Sequence, residues 1–237
     1  MAQVKSSSEL KGMAREQLYG KYGSAIGAYV LMNLVISSIS ILVRSMLPGG
    51  TVGVVLESVV YILMLIISGV FTAGCTFIYL NVTCGNPINA PMIFYGFRNC
   101  REKAIRIQIY LIVRYILSAV PFAISLGLFV ATNNPVFYVF IGLGCVILIA
   151  GIVYFYLKFL PAFYIIHDFP EFESAQCLEL ASEMMKGNMG RALYIYVSFI
   201  PLRLLALLSF GIASLWVEPY LQTTFADFYL DLAHNRQ

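Results

Sequence analysis

Apolar residues run in long blocks over 23–42, 52–82, 107–131, 136–163 and 192–208, broken by short polar stretches. About 20 residues of helix cross a ~30 Å hydrocarbon core. Each block therefore predicts a membrane-spanning helix, the fifth with little length to spare. None of the blocks alternates in polarity, as the ~10-residue strands of a membrane barrel do. A further segment, from the turn at Ser209-Phe210-Gly211 to about Leu232, carries Glu218, Gln222, Asp227 and Asp231. It reads either as a sixth span or as a polar tail beyond five.

An amphipathic stretch leads into each pair of blocks. Ser6-x-x-Glu9 predicts a capping box. Leu10, Met13, Ala14 and Leu18 then recur at helical spacing, with Lys11, Arg15 and Glu16 opposite. Asn89 and Pro91 open a second stretch, with Ile93, Phe97, Cys100 and Ala104 on one side and arginines on the other. In the third, from His167 to Gly190, Glu171 and Glu173 come early, where a helix N-terminus favours acid. Cys177, Leu180, Ala181 and Met184 follow at helical spacing. The expected fold is an all-α membrane protein: a six-transmembrane helical bundle with three interfacial amphipathic helices, and with a kink at Pro121.

The lead-ins also repeat. Laid over 181–197 without a gap, 14–30 shares A-x-E-x-x-x-G-x-x-G-x-A-x-x-x-Y-V. The middle copy keeps Ala104 behind Lys103, as Ala192 follows Arg191. The returning segments close alike, with Tyr79-Leu80-Asn81, Tyr156-Leu157-Lys158 and Tyr229-Leu230-Asp231. A triplicated helix hairpin, with units of about 8–82, 88–166 and 172–233 in one membrane domain, accounts for this. Similar constraints on membrane-entering sequences are the other reading. Parallel repeats about an axis along the membrane normal are one geometry seen in transporters. The first apolar block is too long for a signal-peptide core and no small-residue cleavage site follows it, so that helix is expected to be retained.

Composition agrees with the pattern. The chain is 60% hydrophobic and 11% charged, with a mean hydropathy of +0.82, against ~25% charged residues in a soluble domain. The net charge is only +3, but its placement is informative. Lys5, Lys11, Arg15 and Lys21 precede the first block, Arg98, Arg101, Lys103 and Arg106 the third, and Lys186 and Arg191 the fifth. The positive-inside bias puts these stretches and both termini in the cytoplasm. The partner is the lipid bilayer, with anionic lipid at the inner leaflet, although the positive-inside rule alone would produce the same charges; a membrane-protein partner stays open. Nucleic acid is not an expected partner. Five cysteines without a C-x-x-C pattern are expected to be reduced thiols.

Ionisable residues inside a membrane cost ~2.5 to 3.5 kcal/mol each on insertion scales, so their partners matter. Counted along the helices, Arg203 and Glu218 lie ~8 to 10 Å below one surface, and Arg114 and Asp227 ~8 to 10 Å below the other. Two pairs are expected, and Glu57 joins the first if its helix tilts. Such pairs either fix helix registry or line a polar pathway for an ion, a proton or a headgroup. His167-Asp168 lacks further ligands, and H-E-x-x-H, G-x-S-x-G and P-loop patterns do not occur. An enzyme and a cofactor are therefore not expected.

The C-terminal third adds a resemblance. Ser182-x-x-Met185-Lys186-Gly187-Asn188, Leu208-Ser209-Phe210-Gly211-Ile212, Leu215-Trp216-Val217-x-Pro219-Tyr220 and Phe228-Tyr229 resemble an uncharacterised bacterial integral membrane family, the domain of unknown function numbered nine-seven-five. The lead-in from Ala14-Arg15 to Gly23 resembles that family's N-terminus, so the likeness covers nearly the whole chain. Pro201-Leu202-Arg203 departs from it, standing where the family has an apolar Gly-Trp step. The resemblance implies a six-helix protein of a bacterial plasma membrane and, distantly, the membrane domain attached to some glycerophosphodiester phosphodiesterases. It implies no reaction. The expected function is non-enzymatic: transport or handling of a lipid or small solute, or envelope maintenance, with an accessory scaffold of a membrane complex as the alternative.

Overall fold

The computed structural model describes residues 5–235. Ser6 caps α1 (Ser7–Leu18): its hydroxyl accepts the Glu9 amide, and Glu9 accepts the Ser6 amide at 2.6 Å. This is the expected capping box, and the Ser6 amide and hydroxyl hold the Glu9 carboxyl below its usual range. Gly20, at φ +77, supplies the left-handed turn that an L side chain would resist. It leads into α2 (Tyr22–Met46), and the chain returns past Pro48 as α3 (Gly50–Thr83).

The second lead-in is not the single surface helix its spacing predicts. It forms a 3-10 turn (Ala90–Phe94), the short α4 (Tyr95–Asn99), and then α5 (Arg101–Thr132). The turn and α4 pack against α3, and the turn also packs against α2. Gly74 and Gly96 explain the closeness, since a Cβ at Gly74 would overlap the Ile93 carbonyl and one at Gly96 the Val70 carbonyl. Phe71, Phe94 and Phe97 fill in around the contact. Helix α5 runs on through Pro121 and ends at Asn133 in the left-handed region.

After the turn at Pro135 come α6 (Phe137–Phe159) and α7 (Ala162–Asp168), separated at Leu160-Pro161. Apolar helix thus continues to Asp168, and the third lead-in begins later than expected, with α8 (Ser174–Met184) capped by Glu173. The fifth apolar block is divided at Phe199, which ends α9 (Met189–Ser198) and opens α10 (Ile200–Leu208); Pro201 sits in the first turn of α10, where its missing amide is tolerated. Helix α11 (Ser214–His234) closes the chain.

Among the described residues, five stretches are long and apolar enough to cross a membrane: Tyr22–Met46, Gly50–Thr83, Arg101–Thr132, Phe137–Asp168 and Met189–Leu208. At most 22% of the apolar window in any of them is buried inside the protein. They leave many of their Leu, Ile and Val side chains facing outward, an apolar surface far beyond the patches found on soluble monomers. Helix α11 is not among the five. It is the most enclosed of the long helices instead, with Val217, Leu221, Phe225, Phe228 and Tyr229 in the core, packed against α1, α2, α3 and α10.

Burial is concentrated at the end of the bundle that carries α1 and α8, which also carries most of the Lys and Arg residues and is called the basic end below. Helix α1 does not simply lie on a surface: Leu10, Ala14 and Leu18 are fully buried, chiefly against α11. The shift that lays Ala14 on Ala181 carries the cap Ser6 onto the cap Glu173, Gly20 onto Gly187 (φ +77 and +79), and Tyr22 onto Met189, where α2 and α9 begin. Helices α2, α5 and α9 each bury an alanine as their fourth residue: Ala25, Ala104 and Ala192. Cys100 and Cys177 are buried free thiols at this end, and burial pushes both thiols up, which keeps them protonated and unreactive.

Candidate functional site: an uncharged polar cavity

A cavity of about 260 Å³ lies where α3, α5, α6, α7 and α11 meet. Helical spacing aims its polar lining inward. Thr72 and Thr76 stand one turn apart on α3, Gln108 and Tyr115 two turns apart on α5, and Tyr156, Tyr164 and Gln222 complete the ring. Leu111, Leu160 and Phe163 fill between them. Thr76 is ~10 Å and Gln222 ~18 Å from the basic ends of their helices at 1.5 Å per residue, so the cavity reaches toward the middle of a bilayer-thick bundle.

Part of this lining is already committed. His167 Nε2 donates to the Ala73 carbonyl at 2.8 Å and lies 3.1 Å from Thr76 Oγ1, while Thr76 bonds the Phe163 carbonyl at 3.1 Å. Gln108 donates to the Leu65 carbonyl at 3.2 Å. Asp168 accepts the Tyr229 hydroxyl. His167 and Asp168 therefore tie α7 to α3 and α11 rather than forming a reactive pair. The side-chain polar groups of Tyr115, Tyr156 and Gln222 make no hydrogen bond among the described residues and are open to a ligand. Among the described residues no Lys, Arg, His, Asp or Glu lines the cavity. Sequence reasoning passed over these residues because it weighed charges; the signal that finds them is the single-face spacing of Thr and Gln within apolar helices.

The charged residues are distributed differently from the depth count. Arg203 Nη2 lies 3.2 Å from Glu218 Oε1, joining α10 to α11. The guanidinium also covers the Tyr196 ring, which neighbours Tyr156 at 6.0 Å, so this pair stands behind the cavity wall. Glu57 does not join it: Glu57 faces Arg44 at 3.6 Å across the tip of the α2–α3 hairpin. Arg114 and Asp227 do not meet either. Arg114 donates to the Tyr110 hydroxyl at 2.9 Å and covers the Tyr110 and Phe155 rings, whereas Asp227 Oδ1 accepts Gln17 Nε2 at 2.9 Å. Equal depth fixes only one coordinate, and the two residues face different neighbours. Among the described residues no group of three or more His, Cys, Asp or Glu side chains could hold a metal ion.

Asp227 is 3% exposed, and its Oδ2, like Gln17 Oε1, is a buried acceptor without a partner. Asp227→Asn adds a donor and removes a buried charge, so the amide can bond Gln17 Oε1 while Gln17 still bonds it. The variant is expected to be more stable by ~1 to 3 kcal/mol, the size of an unsatisfied buried polar group. Unfolding of the purified protein in detergent measures this, and a less stable variant would refute the account.

A family model described as "Protein of unknown function (DUF975)" matches residues 1–236. The chain belongs to the DUF975 family. The comparisons with curated proteins and with solved structures find no match. Two residues of the motif that carried the resemblance, Pro219 and Tyr220, are buried in this DUF975 chain. The Tyr220 hydroxyl accepts Arg15 Nε at 3.0 Å, and its ring packs on Phe199, so the motif marks where α1 and α11 lock together beside the site.

Proposed function

We propose that this is a non-enzymatic, six-span protein of a bacterial plasma membrane, with its basic end in the cytoplasm, that takes an uncharged polar group of a lipid or small solute into the central cavity. The carrying observation is that cavity: helices of all three hairpins enclose it, and Tyr115, Tyr156 and Gln222 offer it unengaged hydrogen-bonding groups. A pocket with apolar walls and a few convergent polar groups is the usual form of a small-ligand site. Its uncharged lining favours a neutral group, since an ion would enter without a counter-charge.

In this reading α11 is the sixth span. Its 21 residues reach ~32 Å at helical rise, and its polar side chains meet protein rather than lipid. Glu218 meets Arg203, Asp227 meets Gln17 and Asp231 meets Arg191, while Thr223 and Thr224 bond carbonyls of their own helix. The matching caps, left-handed glycines and buried alanines support three related hairpins over 8–82, 88–166 and 172–233. The alternative, an accessory scaffold, would draw on free small-residue grooves. Gly144 and Gly151 are used within the chain, closing α6 onto Phe122 and Ser118 of α5, and only isolated glycines such as Gly142 stand open on that helix.

The test is access. Single cysteines at Thr72 and Gln222, in a background without the five natural ones, are expected to react with a membrane-impermeant thiol reagent applied from the basic side of sealed vesicles. Adding Leu111→Trp to fill the cavity is expected to slow that reaction about tenfold, with an exposed cysteine at position 84 as the control. If both positions resist the reagent in folded protein, the cavity is sealed and the scaffold reading takes its place.

A further inference from the structure

A second cavity, of about 270 Å³, opens at the basic end between α1 and the last turns of α3 and α11. It shares no lining residue with the central cavity. Three of its polar side chains have already spent their donors. Gln17 Nε2 donates to Asp227 Oδ1 at 2.9 Å, the Thr83 hydroxyl to the Leu80 carbonyl at 2.8 Å, and Asn235 Nδ2 to the Asp231 carbonyl at 2.7 Å. What each has left to offer is oxygen lone pairs. Asp231, which also lines the cavity, is engaged by Arg191 and by the Lys5 amide.

Asp227 is the unanswered member. It is 3% exposed and lines the cavity, yet no donor among the described residues reaches its Oδ2 or the neighbouring Gln17 Oε1. A buried carboxylate needs a partner of opposite charge, and among the described residues no Lys, Arg or His forms an ion pair with it. Lys5 and His234 stand exposed at the mouth instead. Two helix C-termini close around the same space, since Thr83 is the last residue of α3 and α11 ends at His234. The partial negative charge of such ends favours a cation, and helix C-terminal ends coordinate coupling ions in transporters.

We propose that this cavity binds a monovalent alkali cation that enters from the basic end. Asp227 Oδ2, Gln17 Oε1 and the Thr83 hydroxyl oxygen hold it, and the space has room for the waters that complete its shell. One free carboxylate among neutral oxygens matches a single positive charge, whereas calcium sites draw on several carboxylates. An anion would find no hydrogen bond from Gln17, Thr83 or Asn235, whose donors are spent. Because Gln17, Thr83 and Asp227 belong to α1, α3 and α11, the ion also ties these three helices together.

Thermal melting of the purified full chain in detergent, with sodium or potassium chloride replacing choline chloride at constant ionic strength, tests this. The better-bound alkali ion, at about ten times its half-saturating concentration, is expected to raise the melting temperature by about 4 °C. Asp227→Asn, expected to fold more stably in choline chloride, is expected to lose that rise. Thr83→Val is expected to increase the half-saturating concentration about fivefold. Lys5→Met is expected to keep the response. Equal melting in sodium, potassium and choline overturns the proposal, as does a rise that persists in folded Asp227→Asn or is unmoved by Thr83→Val. A rise seen only in Lys5→Met would make the lysine the occupant, and a larger rise with methylammonium than with either alkali ion would make it an amine. Either result also overturns the proposal.

Discussion

Asp231→Ala is expected to cost ~3 to 5 kcal/mol of folding stability, the range for removing one partner of a buried ion pair. The Asp231 side chain is 4% exposed, and its Oδ2 lies 2.6 Å from Arg191 Nη2. The same guanidinium nitrogen donates to the Lys5 carbonyl at 2.7 Å, and the Lys5 amide donates back to Asp231 Oδ1 at 3.3 Å. One cluster thus fastens the start of the chain, α9 and α11 together. Alanine leaves the Arg191 charge against the Phe228 ring with only two uncharged acceptors, the Lys5 carbonyl and Asn188 Oδ1. Replacing both partners, as Arg191→Leu with Asp231→Leu, is expected to cost far less, because neither charge is then desolvated alone. Chemical unfolding in detergent compares the single and double variants. A double variant as damaged as the single would show that shape, not charge, holds this junction.

Gly74→Val is the other large expected loss, more than ~3 kcal/mol and beyond the usual range for overpacking. What a side chain there would strike is backbone, the Ile93 carbonyl. A carbonyl held in a 3-10 turn cannot rotate away as a side-chain tip can. Gly96→Val, which strikes the Val70 carbonyl across the same seam, is expected to behave alike. Gly142, on α6 with open space around it, is the control: Gly142→Ala is expected to be neutral or to stabilise by up to ~1 kcal/mol through better helix propensity. The fraction of protein surviving extraction, together with its melting temperature, measures the contrast. A Gly74 variant as stable as the Gly142 control would mean that the seam is not tightly closed.

How far the site was legible follows from what each sequence signal measures. Ser6 and Glu9 act within one turn, so their capping box was readable from spacing alone. The matching positions of Gly20 and Gly187 were readable for the same reason, as both turns are local. Arg203 and Glu218 belong to consecutive helices joined by a short turn, and depth was enough to bring them to one level. Arg114 and Asp227 share a depth too, but they sit on helices whose faces are set by other contacts. Gln17, far off in sequence, occupies the place beside Asp227, and Tyr110 the place beside Arg114. Glu57 went astray because the α2–α3 hairpin tip stands away from the rest, and its nearest cation is its hairpin neighbour Arg44.

The sequence by itself determined the apolar character of the long helices, the helical class, the Ser6–Glu9 cap and the basic end, because each depends on residues close together in the chain or on composition averaged along a helix. Only the tertiary structure decided that α11 is the enclosed helix, that 90–99 tucks against α3 instead of lying flat, and that Thr72, Tyr115, Tyr156 and Gln222 face one space. Hydropathy measures a segment's own preference for lipid and is blind to partners on other helices. Which polar residue is satisfied, and which is left open to a ligand, depends on rotation about each helix axis and on which helices are neighbours, and these are fixed only when the whole bundle packs.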